Sequence, residues 1–415
     1  MNIQENYNEF KDKFLFNESK KFNNLRKDIV TNFDLSAKIK KNNESLKHLD
    51  PHVLEFSFKY KFFNNKINYS EVNENKINID VNNGRIINIK RKSDDKDIAF
   101  SNIDSLNKDA KYKFLDFQKN FDEDYIVNLN TLMLNSGYQI NIAENKKVNI
   151  IISNSIDEKD LTVFQKNIIN CGKNTSINLI EEYNFNKKSN NNIVSLINLE
   201  NGANLNHIIF QKNDEKANLQ STSNINCNKN SKYKQIILNI SKGSIRNHHY
   251  ANLRGENSSA YLDGIFFGSG NQVIDNKTQI THSFPNCISS QRYKGILTDQ
   301  AKASYLSKTY VDEIAQKTEA YQLSKGILLS DKSYFHSKPE LRIFADDVKC
   351  SHGSTIGPID SDLLFYLRSR GLSKRISTSL LIKSFFDDIV SESNDKSFIE
   401  KFNYHSSIWL NCNNI

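Results

Sequence analysis

The residues with the clearest chemical potential are one thiol and one imidazole, Cys350 and His352, which stand two positions apart. Their neighbours indicate a β-strand, and because side chains alternate along a strand, both should project from the same face. Gly357 and Pro358 interrupt that strand, and Asp360 is a favourable N-cap for a helix beginning LLFYL. Thiols and imidazoles are ligands for iron, zinc and iron–sulfur clusters. The sequence therefore places a candidate metal-binding pair where a β region gives way to helices.

A structural role is the simpler interpretation of this pair, because a lone Cys-x-His in a strand more often belongs to a core, with the thiol acting as a small hydrophobe. One thiol and one imidazole also leave a four-ligand site incomplete. The pair is therefore functional only if another chain supplies more ligands. Lys349 could lower the pKa of the Cys350 thiol, although its side chain should point to the opposite face.

Other polar residues give weaker signals. Asp346 and Asp347 are adjacent acids of the kind found in solvated turns, and we do not assign them to the site. We expect satisfied core or corner residues at His248, His249, His282 and Cys287. The sequence has no GxxxxGKS or GxxxxGKT phosphate loop, so this chain is not expected to hydrolyse ATP. It also lacks GxGxxG, GxSxG and HExxH motifs, so an enzymatic function has little support.

The composition describes a mildly basic chain. Its 415 residues carry 56 basic and 48 acidic side chains, net +8, and these are scattered along the whole length. A nucleic-acid-binding protein more often concentrates Lys and Arg on one surface, so no nucleic-acid partner is expected. The five cysteines include no CxxC pair, the N-terminus has no apolar signal segment, and no apolar run is long enough to span a membrane. We therefore expect a cytoplasmic protein with no membrane partner.

The first third of the chain reads as mainly helical. Residues 2–50 combine apolar side chains at three- to four-residue spacing with Lys, Glu and Asn, which predicts amphipathic helices. Residues 76–90 alternate apolar and polar side chains around Asn83-Gly84, the strongest short hairpin signal in the chain. Apolar residues at helical spacing predict a further helix that ends near Asn135.

From Tyr138 to about Ile356 the pattern changes to short alternating segments separated by corners rich in Asn, Gly and Ser. Many short strands with polar turns fit either a β-sandwich or a β-helix of stacked rungs. The length of the region, its small corners and its scarcity of proline favour the β-helix, because almost every backbone N–H can then join a ladder. No exact repeat period is visible.

The C-terminal end is predicted to be helical. Asp360 should cap a helix over LLFYLRSR, Gly371 should end it, and Ser373 should cap a second helix that reaches about Val390. Apolar residues cover more than half the circumference of this second helix, which is more than one-sided packing needs. Either the last helix, over residues 398–410, or a partner protein must cover the excess, and the pattern alone leaves both open.

The stretch 338–371 resembles the SufB/SufD family, the paired scaffold proteins of the SUF iron–sulfur cluster assembly system. The resemblance rests on KPELRIFADD, DDVKCSHGSTIGPID and LFYLRSRGL, and it extends back over THSFPNCISSQRYKGIL (281–297). A weaker similarity lies in LNTLMLNSGYQINIA (129–143). The CSHGST form is typical of the SufD branch.

The resemblance implies a mostly β fold in which a right-handed parallel β-helix is flanked by helical regions. On this basis residues 1–135 form an N-terminal, mainly helical region with a small β-hairpin. Residues 136–357 form the β-helix core, and residues 358–415 form a C-terminal helical domain for ATPase docking.

The family also implies a function without catalysis. A SufD-like subunit pairs with SufB through the β-helix ends, where Cys350 and His352 would face the partner and hold iron or a nascent iron–sulfur cluster shared with SufB. The SufC ATPase would dock on the C-terminal helices, and the candidate contact residues are Leu364, Phe365, Leu367, Phe385 and Phe386. A SufB-type paralogue is the close alternative, and a β-helix polysaccharide lyase is the alternative from another class.

Overall fold

The computed structural model describes residues 59–61, 66–92, 97–105 and 124–415. The amphipathic helices predicted for residues 2–50 lie outside the described residues. Within the described ranges the chain is mostly β, with its helices concentrated at the C-terminal end. No helix in these ranges is long and apolar enough to cross a membrane.

The strands follow one another closely, and those from β6 onwards are 7 to 11 residues long. They are β1 (Lys59–Tyr60), β2 (Asn68–Glu71), β3 (Ile77–Asn82), β4 (Arg85–Arg91), β5 (Ile98–Asn102), β6 (Ser136–Ile142), β7 (Lys147–Ser155), β8 (Leu161–Cys171), β9 (Ser176–Tyr183), β10 (Ser189–Leu199), β11 (Asn204–Gln211), β12 (Ala217–Cys227), β13 (Lys232–Asn239), β14 (Ile245–Leu253), β15 (Ser259–Gly268), β16 (Val273–His282), β17 (Ile288–Leu297), β18 (Lys302–Val311), β19 (Thr318–Leu328), β20 (Tyr334–Ile343) and β21 (Val348–Gly357). The helices are α1 (Tyr125–Met133), α2 (Ser361–Ser369), α3 (Lys374–Ser391) and α4 (Lys396–Cys412).

Two parallel sheets form the walls of a solenoid of about eight turns. Even-numbered strands from β6 to β20 build sheet A, and odd-numbered strands from β7 to β21 build sheet B, so each successive pair adds one turn. Neighbouring rungs are in register, as in the pairing of Ser189 with Ala217 through to Leu199 with Cys227. Alternate side chains of each strand then fill a common interior. Of the two folds that the alternating pattern left open, the β-helix is therefore confirmed.

The corners of the solenoid share asparagines, but the spacing between successive corners varies. Asn145, Asn174, Asn230 and Asn257 all adopt the left-handed conformation that these tight corners require. Their side chains hydrogen-bond from rung to rung, Asn174 to Asn145 across 29 residues and Asn257 to Asn230 across 27. Because the rungs differ in length by a few residues, the fold repeats in space but not at a fixed spacing in sequence.

The predicted hairpin is confirmed and belongs to the solenoid. Strands β3 and β4 pair antiparallel around Asn83 and Gly84, both of which have positive φ. Strand β3 also pairs with β7, so the hairpin extends sheet B. The helix predicted to end near Asn135 is α1, whose N-cap is Asp124. Asn130 of α1 donates to backbone oxygens of Gln165 and Asn192, which fastens this helix to sheet A.

The C-terminal caps are also as predicted. Asp360 caps α2, Gly371 has positive φ just after it, and Ser373 caps α3. The apolar excess of α3 is covered mainly from within the chain, because α3 and α4 pack together on the outer face of sheet B. Phe267 of that sheet lies 5.1 Å, centroid to centroid, from both Phe386 and Trp409.

Candidate functional site

The solenoid ends in an open rung. Strands β20 and β21 are the last members of sheets A and B, and within the described residues each is paired along one edge only. The opposite edges therefore present backbone N–H and C=O groups that no described strand satisfies, which makes them a template for pairing with another chain. Inward-facing side chains of this rung, such as Leu341 and Ile356, are likewise only half-buried.

Cys350 and His352 lie on this open rung and face the same way. In the register of β19 and β21, Cys350 stands over Ala320 and His352 stands over Gln322. Both Ala320 and Gln322 are buried in the solenoid interior, so the two candidate ligands continue interior columns to the end of the stack. With no described rung above them, Cys350 is half-buried and His352 is exposed.

The thiol of Cys350 is held in its neutral form. Burial raises the pKa of this thiol, and a backbone hydrogen bond with Ala320 offsets only part of that effect. Lys349 lies on the opposite face and pairs with Glu319, with 3.0 Å between Nζ and Oε1. The suggestion that Lys349 lowers the thiol pKa is therefore wrong. Metal binding at Cys350 would have to displace the thiol proton.

The pair is chemically suited to iron but incomplete as a site. Thiolate and imidazole donors fit iron and iron–sulfur clusters. No group of three or more His, Cys, Asp or Glu side chains in the described part of the chain is arranged to hold a metal ion. Within those residues, Cys350 and His352 supply part of a ligand set and leave its outer side open.

The remaining candidates from the sequence fall into structural positions. Asp347 lies in the exposed corner between β20 and β21, where its backbone is bonded to Gln316 and Lys317. His282 is buried and its Nε2 lies 2.8 Å from the Ser289 hydroxyl, so it is a satisfied core residue as predicted. Cys287 is buried beside Ser258 with 3.4 Å between sulfur and oxygen, which again confirms a corner role.

The adjacent histidines differ from each other. His248 Nε2 lies 2.9 Å from Asp275 on the outer side of sheet A, whereas its buried Nδ1 has no hydrogen-bond partner in the described structure, so the predicted satisfied role holds for one ring nitrogen only. His249 points into the solenoid, is fully buried, and has no hydrogen-bond partner at either ring nitrogen in the described structure. The prediction of a satisfied core residue is therefore wrong for His249. Burial lowers its pKa to about 3, so the ring is neutral.

The predicted docking residues divide into exposed and buried groups. Phe365 is 73% exposed, Leu364 and Leu367 are half-buried, and none of the residues of α2 is buried. Phe385 is half-buried beneath the Lys294 ammonium, which lies 5.1 Å from the ring centroid. Phe386 is completely buried against the chain's own core. The prediction that Phe386 contacts a partner protein is therefore wrong.

Sequence reasoning missed two further exposed residues of α2, Leu363 and Tyr366, which are 51% and 54% exposed. The signal was present in the unbroken apolar run LLFYL, since a helix packed on one side only would carry polar residues within such a run. Together Leu363, Phe365 and Tyr366 form an exposed apolar surface, which we call the α2 surface. Exposed apolar side chains grouped in this way are common at protein–protein contact surfaces.

Comparison with known proteins identifies a family whose model matches this chain. Residues 152–385, more than half of the chain, match the model of the SufBD core domain of the SUF system for FeS cluster assembly. This span includes the candidate ligands and most of the solenoid.

Curated relatives agree with the family match. The chain is 35% identical over 202 residues to an iron–sulfur cluster assembly SufBD family protein of Synechocystis, covering 49% of this chain and 45% of that protein. It is 33% identical over 152 residues to the iron–sulfur cluster assembly protein SufD of Escherichia coli, covering 37% and 36%. The chain therefore spans less than half the length of these relatives. With the match to the family core and the open-ended solenoid, the chain belongs to the SufBD family of the SUF iron–sulfur cluster assembly system and is SufD-like.

Proposed function

We propose that this chain is a non-catalytic scaffold subunit that pairs end to end with a SufB-type subunit, and that a nascent iron–sulfur cluster forms at the joint. The open rung is the observation that carries the proposal. It combines strand edges that pair with no described strand and half-buried interior side chains, and both features are satisfied if a partner's terminal rung stacks onto β20 and β21.

Stacking of a partner rung would bring further ligands to Cys350 and His352. Iron and sulfide are then substrates of the assembled site, and this chain contributes the Cys350 sulfur and an imidazole nitrogen of His352. The thiol gives up its proton on binding metal, because the thiolate is the ligand. Enclosure between two rungs also excludes water from a site that is open in the isolated chain.

The α2 surface is the proposed docking site for a SufC-type ATPase. Leu363, Phe365 and Tyr366 project from a short helix that buries none of its own residues, so a partner covering them would remove apolar area from water. Nucleotide hydrolysis is proposed to be the partner's activity, and the lack of a phosphate-binding loop motif in this sequence is consistent with that division. On this reading the complex works in the cytoplasm.

Co-purification tests the proposal. The tagged chain, expressed with the neighbouring genes of its own genome, should recover a SufB-type protein and an ATPase with a phosphate loop. Changing Phe365→Asp should remove the ATPase and leave the SufB-type protein bound, whereas the matched surface variant Tyr404→Asp should retain both. A chain recovered alone, as a monomer, would contradict the proposal.

A further inference from the structure

The C-terminal helices are held to the solenoid by charged contacts near the turn between α3 and α4. Lys401 of α4 pairs with Glu182 of β9, and a larger set of contacts lies around β17. The Lys294 ammonium, on the outer face of β17, lies 2.6 Å from Asp388 Oδ1 and 2.7 Å from the backbone oxygen of Phe385. Its side chain is only 6% exposed. Although burial acts in the opposite direction, the contact with Lys294 keeps the pKa of Asp388 below its ordinary value. One lysine of the solenoid thus donates hydrogen bonds to two residues in the last turns of α3.

Arg292, two residues earlier on the same strand, forms a second charged contact with the end of α3. Its guanidinium makes two hydrogen bonds of 2.8 Å to the buried carboxylate of Asp263 on β15. A further bond of 2.7 Å reaches Glu392, the C-cap of α3. Because Asp263 fixes the orientation of the guanidinium, the contact to Glu392 is directional. Lys234 on β13 donates to the backbone oxygen of the same cap.

The other end of the helical domain lacks such contacts among the described residues. Ile376 and Leu380, on the first turns of α3, are 51% and 47% exposed. The polar contacts found there run to α4, from Arg375 to Asn411 and from Lys383 to Ser407. From the start of α3 to the anchored Phe385 the helix extends for roughly 16 Å. The charged contacts with the solenoid therefore lie at one end of the domain, and α2 is joined to the other end, where the contact with sheet B is apolar.

The anchored strand, β17, lies two strands below β21 of the open rung in sheet B. Arg292 is in register with Leu323 of β19, which is in register with Gly353 of β21, the residue after His352. In the same way, Lys294 is in register with Lys325 of β19, which is in register with Thr355 of β21. A displacement of β17 at the anchor therefore has only two strand-to-strand steps to travel before it reaches the strand that carries the candidate ligands.

We propose that Lys294 and Arg292 are the coupling anchor of this scaffold, the positioning residues through which a load on α2 is transmitted to the open rung. This inference rests on the proposed function, because the load is ATPase motion and the response is a change at Cys350 and His352. Apolar packing between α3 and sheet B is non-directional and permits small sliding movements. The hydrogen-bonded charges at α3's last turns prevent that sliding and make the helical domain move with the solenoid.

The test compares cluster yield with ATP use in the complete complex. Lys294→Met keeps the aliphatic stem and removes the ammonium, and Glu392→Gln is a milder change at a half-exposed position of α3. Lys229→Met is the matched control, since Lys229 forms an exposed pair with Glu256 at a corner of the solenoid. The measured quantities are bound partners, ATP hydrolysed, and clusters formed per ATP.

We expect Lys294→Met to retain both partners and the ATPase rate while clusters formed per ATP fall about tenfold, with a smaller fall for Glu392→Gln. Hydrogen exchange at residues 382–392 should accelerate in both variants, with β15 and β17 still protected. Unchanged clusters per ATP in Lys294→Met, with accelerated exchange showing that the anchor is released, would overturn the coupling role. Failure of the proposed function is distinguishable, because the unaltered chain would then recover no ATPase or build no cluster.

Discussion

In β19, Ala320 and Gln322 point into the solenoid and are buried, whereas their register partners one turn later, Cys350 and His352, are half-buried and exposed. The two strands run parallel and pair with each other. They differ because β21 lies above β19, whereas no described strand lies above β21. The same contrast holds between buried Cys287 and half-exposed Cys350. What makes a thiol or an imidazole available here is therefore its place in the stack rather than its residue type.

One interior column gives the largest expected effect on stability. Phe266 is buried in β15 and fills the space beside Gly295, the next residue of its column, while Phe335 fills the space beside Gly326. Ile356 ends the same column at the open rung. Phe266→Ala should lower the free energy of unfolding by about 3–5 kcal/mol because it leaves a cavity. Ile356→Ala should lower it by about 1 kcal/mol or less in the isolated chain, because little apolar area is lost.

Denaturant unfolding of both variants measures this difference. Adding the SufB-type partner should make Ile356→Ala costly for complex formation, because that side chain then becomes an interior one. Equal losses of stability for the two variants in the isolated chain would show that the last rung is already covered.

The buried histidines predict a pH dependence of stability. Burial lowers the pKa of His282 to about 4, below the ordinary 6.5, so the unfolded chain binds a proton that the folded chain excludes. The stability contributed by neutral His282 is complete above about pH 6.5 and falls by about 1.4 kcal/mol per pH unit below it, until its folded pKa is reached. His248 and His249 act with the same sign.

The variant His282→Gln isolates this contribution. At pH 8 its free energy of unfolding should be lower than that of the unaltered chain, in which His282 keeps its hydrogen bond to Ser289. At pH 5 this gap in unfolding free energy should be narrower. Urea unfolding at the two pH values measures the gap. A gap that stays constant would mean that His282 is not kept neutral by burial.

The smallest expected effect is a change in the rate at which cysteines are labelled. This rate reports directly whether a partner covers the open rung. Iodoacetamide should modify Cys350 and exposed Cys412 in the isolated chain and spare the other three cysteines, which are buried. Because burial raises the Cys350 pKa, its labelling should quicken as the pH is raised. The SufB-type partner should slow labelling of Cys350 about tenfold or more. Mass spectrometry of the labelled peptides would contradict end-to-end pairing if only Cys412 became protected.

Much of the architecture could be predicted from local signals. Asn83-Gly84 specified the hairpin and Asp360, Gly371 and Ser373 specified the helix boundaries, because each has a conformational preference that needs no distant contact. The alternating pattern indicated short strands, but unequal rung lengths concealed the repeat.

Side-chain environments were harder to predict because they depend on tertiary packing. Apolar periodicity could not separate buried Phe386 from exposed Phe365, since only the position of sheet B decides which side of a helix is covered. The orphaned ring of His249 could not be predicted either, because it depends on which groups face it across the solenoid. The placement of Cys350 and His352 on one face followed from strand geometry alone, whereas their position at the last rung required the fold.

The most direct test of the proposed site is the iron and acid-labile sulfide held by the purified complex when His352→Ala replaces the unaltered chain. Ser351→Ala is the matched control, because Ser351 is exposed on the opposite face of the same strand. We expect His352→Ala to leave the complex assembled and its cluster content to fall to background, with Ser351→Ala unchanged. Undiminished cluster content in an intact His352→Ala complex would contradict a ligand role for the open rung.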